Sequence, residues 1–404
     1  YKNFDLTLFY SNKGIDGNIQ FTEDTTDADQ IGSFSSIQTS GLHRTPSELE
    51  DKNAVKEVIY GAALDYTFKK GKIGWVGVRT AFEPGLNRSL QHYQYFNFQG
   101  KENSNMGLNY QFTLNRFSLF GEGSLSENGG YATLNGAIMN LDSRFKLSVL
   151  QRYYSKDYNS LYSDGFGERS GASNESGVYF GTEFLPAKFF KVSAFYDIYT
   201  FPWLSYNIDK PGKGDEFSGM VTFKPMRKLE FVFLYRHEGK DRNYNPDEEA
   251  INPIATESKD RYRIQMTAKV NSYLTLRTRF ETSQYKLGNQ ARKSGYMVYQ
   301  DFYVDGFSNK LALKFRYALF STPDYDTRIY AYENDLRYQF SVPAYYLRGS
   351  RVYAVVRWKI TDNATFNFKI SQTYLSNQDF FGSGKDLIES DTRTEVKTQF
   401  IFKF

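Results

Sequence analysis

The sequence predicts an all-β protein, a transmembrane, antiparallel, up-and-down β-barrel of about 20 strands, with 18 to 22 as the range. Three observations lead there. Apolar and charged residues alternate with a period of two in run after run, and tight links alternate with long polar loops between the runs. Aromatic residues make up 18% of the 404-residue chain, with 33 Tyr and 36 Phe. The mean hydropathy is nevertheless negative, at -0.58. Apolar surface and charge are both abundant, and a strand with two unlike faces accommodates both.

The runs share one grammar. In "KLALKFRYALF" Leu311, Leu313, Phe315, Tyr317 and Leu319 alternate with Lys310, Lys314 and Arg316. In "YLTLRTRFETSQY" Leu274, Leu276 and Phe280 oppose Arg277, Arg279 and Glu281. "KLEFVFLYRHE", "RYRIQMTAKV", "RVYAVVRWKI" and "RFKLSVLQRYY" repeat the pattern. Links such as "PMRK", "VNSY", "LPAK", "TDNA" and "NLDS" are short, whereas "SKDYNSLYSDGFGERSGASNE" and "GKDRNYNPDEEAINPIATESK" are long. Short turns at one end and long loops at the other are the habit of outer-membrane barrels, whose short turns face the periplasm. Runs of about ten residues suit a bilayer crossed at a tilt.

No run approaches the roughly 18 consecutive apolar residues of a membrane-spanning helix. The alternative is a soluble antiparallel sheet that hides its apolar faces in a sandwich. Against it stand the aromatic content, which suits the girdles at two membrane interfaces, and faces charged over whole strands. The C-terminal "TEVKTQFIFKF" adds Val396, Thr398, Phe400, Phe402 and Phe404 on one parity, ending in an aromatic. That ending resembles the terminal signal of bacterial outer-membrane barrels, and the bacterial outer membrane is the expected location.

The whole chain, residues 1–404, reads as one barrel domain. One stretch departs from strand grammar: in "GLHRTPSELEDKNAV" Thr45, Pro46, Ser47 and Glu48 form a capping box with a first-turn proline. A helix of about two turns over residues 45–54 follows from that signal. The strand count puts this segment, residues 41–55, on the short-turn side or in the interior as a partial plug, an amphipathic connector being the alternative. The chain has no cysteine, so disulfides and thiolate metal sites are excluded. Its formal charge of +4 says little about nucleic acid, and no nucleic-acid partner is expected. Starting at Tyr1 without Met or a signal-like segment, it reads as a processed or partial chain.

Assigning the charged parity to the interior gives two sets of residues. The basic set is Arg236, Arg261, Arg263, Arg277, Arg279, Lys314, Arg316, Arg351, Arg357 and Arg393, and the acidic set is Asp65, Glu122, Glu183 and Asp197. If the interior is open, the basic arc attracts anions, and a channel or transport-type barrel for small polar or anionic solutes follows. If the charges pair across the interior, the barrel is a filled scaffold, an accessory subunit of a secretion or barrel-assembly complex. Glu333, Asp335 and Arg337 in "YAYENDLRYQ", and Glu238 beside Arg236, supply partners of both signs at close spacing. Lipid or lipopolysaccharide of the outer membrane, and other envelope proteins, are the expected partners.

Catalysis is not expected. Nucleophilic catalysis needs a histidine placed for proton transfer, and only His43, His92 and His237 are present. His237 shares the parity of Phe233 and Tyr235, and His43 lies beside the capped helix; interfacial or hydrogen-bonded histidines are the plainer reading. The acidic loops "NPDEEA" and "TPDYDTR" lack the ligand spacing of a calcium loop, so no metal and no cofactor is expected. "GFGERSG" lacks the context of a phosphate loop. Trp203 in "FPWLSY", Trp358 and Phe404 are expected as anchors at the membrane interfaces. "GAALDY" (61–66), rich in small residues, is a mild candidate for a docking face.

Several longer phrases resemble a family of outer-membrane barrels from Bacteroidota in which a helix-hairpin-helix region precedes the barrel. They are "GLHRTPSELE" (41–50), "NESGVYFGTEF" (174–184), "DIYTFPWLSY" (197–206) and "TRIYAYENDLRYQFSVPAYY" (327–346). The likeness spans most of the chain, and the helix-hairpin-helix part is not found in these residues. What it implies is architecture, location and membership of a larger envelope assembly; it implies no reaction.

Overall fold

A computed structural model describes residues 3–21, 31–246, 252–306 and 310–404. Strands dominate it: β1 (Phe4–Ile15), β2 (Gly17–Phe21), β3 (Ile31–Ile37), β4 (Val55–Phe68), β5 (Gly71–Leu86), β6 (Gly100–Leu114), β7 (Phe117–Ser126), β8 (Tyr131–Asp142) and β9 (Phe145–Tyr154) come first. β10 (Glu175–Ala187), β11 (Phe190–Phe201), β12 (Gly212–Met226), β13 (Leu229–Asn243), β14 (Ile254–Lys269), β15 (Leu274–Leu287), β16 (Lys293–Gly306) and β17 (Leu311–Ser321) follow. β18 (Ile329–Tyr330), β19 (Ala344–Tyr345), β20 (Arg348–Lys359), β21 (Ala364–Leu375) and β22 (Thr392–Phe402) complete the set. Twenty of these strands belong to one sheet, and β18 and β19 pair separately. The predicted class is therefore the one observed, an antiparallel sheet of the outer-membrane β-barrel type.

The chain groups into two compact units. The first comprises Tyr1–Gly181, Tyr196–Asp215 and Asp241–Ile254, and the second Thr182–Phe195, Glu216–Lys240 and Ala255–Phe404. In the first, β4 through β9 pair each with the next, joined at one end by two-residue turns such as 69–70 and 115–116. In the second, β14 through β17 and then β20 through β22 do the same. Residues 322–347, between β17 and β20, leave the ladder at the long-loop end.

Each strand has the two faces its sequence predicts. On β4, Val55 and Glu57 are buried while Tyr60, Leu64 and Tyr66 are exposed. On β15, Arg279, Glu281, Ser283 and Tyr285 are buried and Phe280 is exposed. The exposed set includes Leu8 at 72%, Leu108 at 62% and Phe400 at 60%. Soluble monomers rarely expose contiguous apolar surface on this scale, whereas lipid covers it without cost. The apolar parity is thus the lipid face, and the chain is a protein of the bacterial outer membrane. No helix among the described residues is long and apolar enough to cross a membrane.

One expectation needs correction. α1 (Pro46–Glu50) is a five-residue helix, shorter than predicted, and it lies at the long-loop end. β1 pairs directly with β4, Ile15 opposite Val55, so residues 16–54 are an insertion between two neighbouring strands. The start of β4 faces the end of β5, Lys56 opposite Glu83, where the long connection 87–99 departs. The hairpin of β2 and β3 interrupts the strand alternation, and it reverses the end to which the helix belongs. The Thr45 hydroxyl accepts from the Glu48 amide, as a capping box requires, but the Glu48 carboxylate accepts from the Arg44 amide, one residue before the cap. Asp51 closes the helix with its amide on the Ser47 carbonyl while its carboxylate accepts from Gln38 Nε2 at 2.6 Å and from the Ile19 amide, and the chain leaves helical geometry at Asn53, φ 52°. Phe34, Val55, Phe82 and Leu86 close over a small apolar core there.

Candidate functional site

The densest concentration of buried charge is the polar face of the second unit. Antiparallel register puts Arg263 opposite Glu281 and Asp301 opposite both Arg277 and Arg316. Arg263 Nε donates to Glu281 at 2.7 Å, and Arg279 shares the same carboxylate. Arg316 donates to both Asp301 oxygens, at 2.6 and 2.8 Å, and its guanidinium stacks 3.7 Å from the centroid of Tyr299. Forked pairing and stacking of this kind suit arginine and no other cation. Among the described residues the Arg277 guanidinium donates only to the Tyr303 hydroxyl, at 2.9 Å.

Residues 322–347 fold back onto this face and meet its cations. Ile329 and Ala331 pack with Met297, Tyr299 and Ala318 of the wall, which leaves alternate backbone groups facing the arginines. The Tyr330 and Tyr332 carbonyls accept from Arg279 and Arg316 at 3.3 and 2.8 Å. Glu333 accepts two bonds from Arg351, at 2.7 and 2.8 Å, and one from the Tyr345 hydroxyl at 2.6 Å. Asn334 accepts from Lys314 at 3.1 Å and donates to the Tyr353 hydroxyl at 3.0 Å. Asp335 accepts from Lys369 at 2.8 Å and Lys397 at 3.2 Å. Burial pushes the Glu333 and Asp335 carboxyls up, but hydrogen bonds and charge from Arg351, Lys369 and Lys397 outweigh it and hold both below the usual range.

In the first unit another connection does the reverse. Residues 155–174 fold over a wall in which, among the described residues, the buried acids Glu57, Glu175 and Asp197 outnumber the one buried arginine, Arg152. Arg152 is fully buried between Glu175, at 2.6 Å, and Asp197, which it binds with two bonds at 2.8 and 3.0 Å. The Glu168 and Arg169 amides donate to Glu175, and the Tyr162 hydroxyl donates to Glu57. Tyr154 donates to the Phe166 carbonyl at 2.9 Å and ties the loop down.

The other predicted residues are scattered. Asp65 pairs with Lys72 at 2.8 Å, Glu183 with Lys191 at 2.5 Å, and Arg236 with Glu216 at 2.6 Å, each on an adjacent strand or turn. Glu122 lines a cavity of about 220 Å³ with Tyr154, Tyr158 and Asp164. Arg393 lies 5.1 Å from the Phe381 ring. Among the described residues the side chains of Arg261 and Arg357 have no hydrogen-bond or ion-pair partner. Trp358 and Phe404 are exposed on the apolar side, whereas Trp203 packs edge-on to Phe96 with Lys156 over its ring, inside the loop layer of the first unit.

Sequence reading missed Asp301, Glu175 and Glu57. The available signal was parity for two of them: Glu57 shares that of Asp65 on β4, and Glu175 that of Glu183 on β10. His43 bonds Asp16 and His237 bonds Asp260, each at 2.8 Å, and neither meets a serine. Asp324 of "TPDYDTR" caps a short turn and takes Lys293 at 2.5 Å, while part of "NPDEEA" lies outside the described residues. No group of three or more His, Asp or Glu is placed to hold a metal among the described residues.

No family model and no curated protein matches the chain. Solved structures do resemble it. The ferripyoverdine receptor of the Pseudomonas aeruginosa outer membrane aligns over 99% of this chain and 63% of its own, at 10% identity and a TM-score of 0.48. The FpvAI receptor in complex with pyocin S2 is covered over 55% of its length, so the chain spans little more than half of such receptors. Acinetobacter baumannii OccAB1 aligns over 99% of this chain and 95% of its own, at 10% identity and a TM-score of 0.44, and Pseudomonas aeruginosa OccK5 over 100% and 99%, at 8% and 0.38. At these values the likenesses carry no argument about what this chain binds.

Proposed function

We propose that the chain is a transport-type barrel for small anionic solutes, with an interior narrowed by inward-folded connections. The observation that supports this is an excess of cations over carboxylates on the polar face of the second unit. Glu281, Asp301, Glu333 and Asp335 are already engaged, and among the described residues Arg261, Arg277, Lys314 and Arg357 on the same face form no ion pair with a carboxylate. Uncompensated cations along a wetted wall raise the local anion concentration and favour anion passage. A second reading, a filled accessory barrel, draws on the pinning of residues 322–347 to Arg279, Arg316, Arg351 and Lys369.

Planar-bilayer recording separates the two. Anion-preferring conductance that loses its preference in a chain carrying Arg261→Gln, Lys314→Gln and Arg357→Gln supports the channel. Inserted but silent protein that starts to conduct when residues 328–342 are replaced by a short Gly-Ser linker supports the filled barrel. Arg279 and Arg316 are poor choices for such a test, because their loss removes structural bonds as well as charge.

A further inference from the structure

The inward-folded segment 322–347 does more than neutralise cations, because its tip is built differently from its base. From Tyr330 to Asp335 every polar group described above is bonded to the wall. Three residues later the chain turns through Tyr338, whose φ of 66° puts a bulky residue in the left-handed region that favours glycine or asparagine. The turn presents Tyr338 and Phe340 at 90% and 82% exposure, the most exposed rings of a connection in which Ile329, Ala331, Leu336 and Tyr345 are buried. Phe340 and Tyr332 lie with ring centroids 5.7 Å apart and form a small aromatic platform. The Arg337 side chain beside it has no partner among the described residues, while its carbonyl is held by Gln399 Nε2 at 3.0 Å.

That last bond ties the platform to the wall's unpaired cations. Gln399 also accepts from Asn367, which stands opposite Arg357 across β20 and β21, and Lys314 holds Asn334 just upstream. Exposed rings, free guanidinium groups and amide side chains therefore share one neighbourhood on a rigidly anchored support. Rings bind flat apolar faces, arginines bind carboxylates with forked bonds, and amides bind hydroxyls.

We infer that Arg337, Tyr338 and Phe340, with Arg357 behind them, form a binding station for an organic anion that carries a ring with a flat apolar face. Aromatic carboxylates and uronic acids share this chemistry. The inference deepens the transport reading by naming the class of solute, but its test does not require conductance. Titration calorimetry on the detergent-purified chain would compare benzoate and glucuronate with acetate and glucose. Saturable binding of benzoate or glucuronate, with acetate and glucose several-fold to about tenfold weaker, is expected, since a stacked ring and a charge-assisted bond each contribute up to that factor. Whichever ring anion binds more tightly identifies the source of the ring.

Tyr338→Gly supplies the second arm. It removes the ring and relieves the backbone, so binding should weaken several-fold while thermal stability holds or rises; a purely structural tyrosine would leave binding unchanged. Equal binding of acetate and the ring anions, or unchanged affinity in Tyr338→Gly and Arg337→Gln, overturns the inference. Binding that persists in protein silent in bilayers would overturn the transport reading and leave the station standing.

Discussion

Residues 155–174 meet a wall whose buried acceptors are the carboxylates Glu57, Glu175 and Asp197, whereas residues 322–347 meet one dominated by Arg279, Arg316, Arg351 and Lys369. The first connection offers amides and a tyrosine hydroxyl; the second offers carbonyls and two carboxylates. Toward the buried charges beneath it, each loop thus presents groups of complementary polarity. A buried charge left alone costs far more than the net value of a pair, so each loop's composition is constrained by the strand residues beneath it.

The largest effect should come from removing the acid that holds a buried arginine with two bonds. Glu333→Gln leaves the buried Arg351 without a full charge partner, while Lys369 keeps Asp335, and a loss of about 3–5 kcal/mol is expected, as for other broken buried pairs. It would be read from urea unfolding in micelles, with limited proteolysis showing new cleavage in residues 322–347 and none in 155–174. The mirror change, Arg152→Gln, should cost a similar amount, about 3–5 kcal/mol, and expose 155–174 instead. Cleavage of both loops in both variants would show that the two regions are coupled and break the comparison.

Acid should separate the regions next. Asp335 is held below the usual aspartate value, so its contribution is complete above that value, about 3.9, and is lost as the pH falls through the lower folded one. Pepsin cleavage near Phe340 should therefore accelerate only below about pH 4, and Asp335→Asn should show that rate at higher pH. Tyr162→Phe, which withdraws one donor from Glu57, should cost about 1–2 kcal/mol and loosen 155–174 alone. Thr45→Ala, at the cap of α1, should cost about 1 kcal/mol and touch neither loop.

Much of the sheet was legible because period-two alternation is a direct record of burial. Leu276, Phe280 and Arg279 fall on the faces their parity predicts. The N-cap at Thr45 was legible for a similar reason, since it is a contact between near neighbours. The end at which the helix sits was not, because it depends on a hairpin whose partners, Phe34 of β3 and Leu86 of β5, are far apart in sequence. The candidate site was half legible. Its arginines and the acids of "YENDLR" stand out, yet the bonds from Glu333 to Arg351 and from Asp335 to Lys397 follow from a loop path that no local pattern encodes.

The pairing of Ile15 with Val55 has a consequence for how the chain can be cut. Everything between them leaves one rung of the ladder and returns to the same rung, so β1 and β4 are a hairpin carrying an oversized tip. A two-residue Asn-Gly turn fits such a rung, and a chain with residues 16–54 replaced by it should still insert and keep its heat-modifiable gel mobility. The segment is then a port, a place where foreign sequence can be carried on the loop side of the membrane without asking the wall to refold.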